Sequence, residues 1–74
     1  MITRRFKVIL EQEAEGGFSV FVPSLPGCAS QGETAQEALV NIREAIEAYL
    51  LSLQDDGLPI PSERAILTEV EVAA

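Results

Sequence analysis

Residues 34–53 read TAQEALVNIREAIEAYLLSL, and this stretch decides the fold. Ala35, Ala38, Leu39, Ile42, Ala45, Ile46, Tyr49, Leu50 and Leu53 recur at three-four spacing, the pattern of a helix with one apolar face. Gln36, Glu37, Asn41, Arg43, Glu44 and Glu47 fill the other face. Thr34 is placed to cap the helix, and Glu37, three residues on, completes a capping box. A helix from Ala35 to Leu53 would be about 28 Å long at about 1.5 Å per residue. Gly57 and Pro59 stop it, and the prolines of Gly-Leu-Pro-Ile-Pro make the exit stiff and extended.

Upstream of the helix the period changes from three-four to two. In RRFKVILEQE, residues 4–13, Phe6, Val8 and Leu10 alternate with polar residues, with Ile9 the exception. Glu15-Gly16-Gly17 supplies a tight turn, after which Phe18, Val20 and Val22 form the apolar face of a second strand. The two strands pair antiparallel. Pro23 ends the second, because proline has no N–H for a ladder. Pro26-Gly27 is a turn dipeptide, and a short third strand fits between Cys28 and Gln31 before Gly32 breaks it.

Downstream of the helix, AILTEVEV at residues 65–72 alternates again, with Ile66, Thr68, Val70 and Val72 on one face and Leu67, Glu69 and Glu71 on the other. This reads as a last strand. The expected architecture is one α+β domain over residues 1–74: a three-to-four-stranded, mainly antiparallel sheet packed on one long helix, in the order β-β-β-α-β. One helix covers one sheet face, which leaves Ile9, Phe21 and Leu67 on the other. An apolar row beside a free edge marks a contact surface, so the expected state is a homo-oligomer, at least a dimer.

The residue inventory excludes most chemistry. There is no histidine, which removes the usual general base and the Ser-His and Cys-His nucleophile pairs. Cys28 is the lone cysteine, which removes a disulfide and, with no imidazole, a structural zinc site. No glycine falls in a phosphate-cradling pattern. Glu11 with Glu13 and Glu69 with Glu71 could hold a divalent metal, but strand alternation alone accounts for them as solvated faces. No catalytic residue, cofactor or metal is expected, and the chain is read as no enzyme.

The net charge is −7, from 12 acidic and 5 basic residues, with Arg4, Arg5 and Lys7 all near the start. Such a surface repels nucleic acid and attracts basic partners. No run reaches the roughly 18 apolar residues of a membrane span. No apolar segment at the start leads to a small-residue cleavage site. The expected location is the cytoplasm.

The order of pieces resembles the HicB antitoxin family between Gly16 and Pro61. GGFSVFVPSLPGC is similar to the family's glycine-aromatic strand and Pro-x-Leu-Pro-Gly-Cys turn, GETAQEAL to the start of its helix, NIREAIEAYL to the helix body and DGLPIP to the exit. The resemblance implies a partial ribonuclease-H-like layer without that enzyme's catalytic carboxylates. It also implies an antitoxin that binds and neutralises a small basic mRNA-cleaving toxin of the HicA type. The motif residues Gly17, Pro23, Pro26, Gly27, Gly32, Thr34 and Glu37 map to structural roles, and Phe21, Pro23 and Leu25 to a partner or oligomer contact. The chain resembles a short form without the family's C-terminal DNA-binding domain, so no direct DNA binding is expected from this chain alone. The other readings are a stand-alone homo-oligomeric binding or scaffold domain with no toxin, and a small metal-dependent hydrolase.

Overall fold

The computed structural model describes residues 3–74 and has the element order β1 (Ile9–Gln12), β2 (Phe18–Phe21), β3 (Ala29–Gly32) and α1 (Ala35–Asp55). The strands form one antiparallel sheet in the order β1-β2-β3. This is the expected α+β layer of sheet on helix.

Pairing fixes the faces. Leu10 stands opposite Val20, which stands opposite Ser30, and Gln12, Phe18 and Gly32 align in the same way. These residues face α1, and Val20, Val22, Leu25, Cys28, Ala38 and Ile42 form the buried core. On the other face Ile9 pairs directly with Phe21. The alternation read from sequence therefore places both residues on the uncovered side.

The helix begins as its sequence requires. Thr34 has extended backbone, and its Oγ1 accepts the Glu37 N–H at 3.0 Å. The Glu37 carboxylate reaches one residue further back than a capping box would, accepting the Glu33 N–H at 3.3 Å. The other end closes in a Schellman arrangement: Leu58 N–H donates to Leu53 O at 2.8 Å and Gly57 N–H to Gln54 O at 3.1 Å. The buried stripe is narrower than the spacing suggests. Leu39 remains 44% exposed, because α1 lies mainly over β3 and β2 and leaves the β1 flank open.

Gly32 is the last residue of the third strand, which therefore ends where expected to within one residue. Its backbone is ordinary. What requires glycine is proximity: a Cβ there would lie 2.5 Å from Ala38 N and 2.9 Å from Glu37 C. The first turn of α1 rests on the strand backbone itself.

Two expected strand segments are not paired in the single chain. Residues 3–8 precede β1 without a ladder: the register would set Val8 against Val22 and Lys7 against Pro23, which has no N–H to donate. Residues 65–72 likewise form no ladder, and Ile66 and Val70 are each 84% exposed. The last strand of the expected order is thus absent from the fold of one chain. Strand-forming sequence stays unpaired until an edge is offered to it.

Candidate contact surface

The candidate surface lies on the uncovered sheet face and the loop that follows β2. In that loop Leu25 N–H donates to Val22 O at 3.1 Å, and Cys28 N–H donates to Leu25 O at 3.0 Å. The two bonds close successive tight turns with Pro23 and Pro26 at their second positions. Gly27 takes φ of 82°, the conformation the third position of the second turn needs. A third bond, Val22 N–H to Cys28 O at 3.0 Å, pins the base of the loop.

These turns separate the three expected contact residues. Phe21 is 42% exposed and Pro23 is exposed, so both are open to a partner. Leu25 is 0% exposed. It is an anchor that turns into the core and holds the loop, not a contact residue. The family resemblance implied a contact role for Leu25, but the double turn drives its side chain inward. Cys28 is buried beside it, and burial pushes its thiol pKa up, away from nucleophilic use.

The other motif residues keep structural roles. Gly17, at φ 81°, closes the β1–β2 hairpin, where Glu13 N–H donates to Gly17 O at 2.9 Å. Gly32, Thr34 and Glu37 form the junction between β3 and α1 described above. The hairpin and this junction border a polar cleft of about 400 Å³ lined by Glu13, Glu33, Glu37, Ser19, Gln31 and Asn41. Asn41 Nδ2 donates to Gln31 O there at 2.7 Å, tying helix to strand. This end of the molecule is acidic, while Arg4, Arg5 and Lys7 lie beyond the opposite end of β1.

One organising residue carries no motif. The half-buried Glu63 takes the Lys7 N–H on Oε2 at 2.6 Å. Its Oε1 takes the Ser24 hydroxyl and the Ala65 N–H, each at 2.8 Å. The Lys7 backbone bond, the Ser24 bond and the Ala65 bond hold its carboxyl below its ordinary value. Glu63 thereby joins the opening segment, the Pro23 loop and the chain after the helix. Its partners are 56 and 39 residues away, so no local pattern marks it. Beside it, Val8, Ile9, Pro23, Ile66 and Leu67 border an open apolar cleft of about 410 Å³; Leu67 itself is 79% exposed and does not join the sheet face of Ile9 and Phe21.

Among the described residues no three His, Cys, Asp or Glu side chains gather as a metal site. No helix among them is long and apolar enough to cross a membrane. The chain is a small acidic sheet-on-helix domain with Ile9 and Phe21 on its open sheet face and a double-turn loop after β2. The model of the HicB-like antitoxin of bacterial toxin–antitoxin systems matches residues 6–73. The chain belongs to this family, whose members are non-catalytic. It is 45% identical over 67 residues to a UPF0150 protein of Synechocystis, covering 90% of this chain and 85% of that one. It is 46% identical over 61 residues to a UPF0150 protein of Thermoplasma acidophilum, covering 82% and 88%. It is also 37% identical over 59 residues to the antitoxin HicB 1 of Photorhabdus laumondii, covering 77% of this chain and 38% of that longer protein.

Proposed function

We propose that this chain, acting as a single domain, is an antitoxin that binds and neutralises a small basic mRNA-cleaving toxin of the HicA type. The family match over residues 6–73 is the observation that supports the reading most. The charge supports it as well. A net charge of −7, with Glu13, Glu33 and Glu37 together at one end, favours a cationic RNA-binding face over nucleic acid itself. Phe21 and Pro23 supply the apolar contact on the open face, and the chain by itself leaves DNA alone. Neutralisation by occupancy needs no catalytic group. It takes place in the cytoplasm, where messenger RNA is translated, with the antitoxin as at least a dimer.

Co-expression tests this reading. Induction of a small basic toxin encoded beside the gene should arrest growth, and simultaneous induction of this chain should restore it. Arrest that persists with the chain folded and abundant would contradict the proposal. A second reading, a homo-oligomeric domain with no toxin, is favoured by the exposure of Phe21 together with residues 66–72. A stable oligomer in a strain with no such neighbouring gene would select it.

A further inference from the structure

Two strand-like segments of this chain lack ladders, and their side-chain patterns are complementary. Along residues 3–8, Arg5 and Lys7 alternate with Phe6 and Val8. Along residues 66–72, Glu69 and Glu71 alternate with Val70 and Val72. Side chains along a strand repeat with a period of two. Pairing the segments side by side therefore sets carboxylates against cations on one sheet face and valines beside Phe6 and Val8 on the other. This match holds for either strand direction.

The apolar side of such a pair has a place to go. Phe6 and Val8 are half-buried against the core, and with Leu39, Ile46 and Leu50 of α1 they border an open groove of about 630 Å³. This is the flank that α1 leaves uncovered. A fourth strand laid outside residues 3–8 would place its apolar face there.

The chain does not fill the groove itself. Glu63 holds residues 63–65 beside Lys7, yet from Ile66 onward the large apolar residues are exposed, Ile66 and Val70 at 84%, Leu67 at 79% and Val72 at 75%. The Cα radius of gyration is 14.3 Å, against about 11 Å for a compact chain of this length. The long axis of 46 Å is more than twice the shortest, 22 Å. The strand-patterned segment projects from the body without reaching the edge of its own chain, and the same edge is present in every copy.

We propose that two copies exchange these segments: residues 66–72 of each add as a strand beside residues 3–8 of the other and cover the groove along α1. This rests on the dimer reading above and specifies its interface. Each exchanged strand would be about 23 Å long. With the groove residues, the contact approaches the roughly 20 residues a side of a stable interface. The arrangement is two-fold symmetric and closes on itself.

Charge reversal tests it in the full chain. One variant carries Glu69→Lys and Glu71→Lys, and the other Arg5→Glu and Lys7→Glu. Sedimentation equilibrium should show the wild type at twice its 8.0 kDa chain mass. Each variant alone should show a dissociation constant raised about tenfold or more, since four cross-strand charge pairs become repulsive. An equimolar mixture of the variants should regain the wild-type value, because opposite charges then meet at both exchanged strands. Unchanged helical circular dichroism checks that each variant is folded. A wild type at 8.0 kDa at every concentration overturns the dimer reading and the exchange together. A wild-type dimer indifferent to both reversals overturns the exchange alone. So does a mixture that stays dissociated.

Discussion

Replacing Gly32 by alanine should destabilise the domain by about 3 kcal/mol, the upper end of the range for overpacking a filled site. The magnitude follows from what the new methyl meets. Its three nearest atoms are Ala38 N at 2.5 Å, Glu37 C at 2.9 Å and Ala38 Cα at 3.0 Å, all of them backbone. A side chain could rotate away, but a helix backbone can yield only by lifting the first turn of α1 from β3, which also disturbs the Thr34 cap. Against a total stability of about 4–11 kcal/mol for a domain of this size, the loss is large. At about 4–8 °C per kcal/mol the melting temperature should fall by about 12–24 °C. The sign is the sharper test. The backbone of Gly32 is ordinary, so without the close approach alanine would stabilise the chain by about 0.4–1 kcal/mol by restricting its unfolded state. Urea unfolding followed by circular dichroism measures the difference. A midpoint equal to or above that of the wild type would refute the contact between helix and strand backbone.

Thr34→Ala should cost about 1 kcal/mol through loss of the hydroxyl that accepts the Glu37 N–H; Thr34→Ser should recover most of this in the same urea titration. Glu63 has its pKa lowered by its hydrogen bonds. Its contribution is therefore present above the ordinary glutamate value of about 4.3 and lost as pH falls through the depressed folded value. Acid titration of Glu63→Gln should show a shallower loss of stability in that window than wild type, and identical slopes would show that Glu63 ties nothing together. Amide hydrogen exchange at Lys7 and Ala65 should quicken in Glu63→Ala, with exchange at Val20 following only the global stability.

The sequence was most informative where the physics is local. Thr34 and Gly57 delimit the helix through short-range hydrogen bonds, and the alternation around Phe18 and Phe21 sets the faces of the sheet, so these features were legible. Leu25 carries a contact role only through the family resemblance, and the closure from Val22 to Cys28 that folds the loop inward has no mark in residue spacing. Gly32 was recognised, but for a conformational role. Its reason is a distance to a helix six residues on, which no single-residue propensity encodes. Residues 65–72 have a strand's pattern without a strand's pairing, since alternation reports what a segment can join and leaves open which chain supplies the edge. Glu63 carries no mark in the sequence, because its partners meet it only in the folded chain.

The proposed neutralisation of a basic toxin by binding can be measured by calorimetric titration of the purified chain with a HicA-type toxin encoded beside its gene. The expected complex is tighter than about 1 μM. Its affinity should fall as salt rises, because the contact joins an anionic protein to a cationic one. RNA cleavage should cease at saturation. No heat of binding, together with undiminished cleavage in the presence of excess folded chain, would rule out neutralisation by binding.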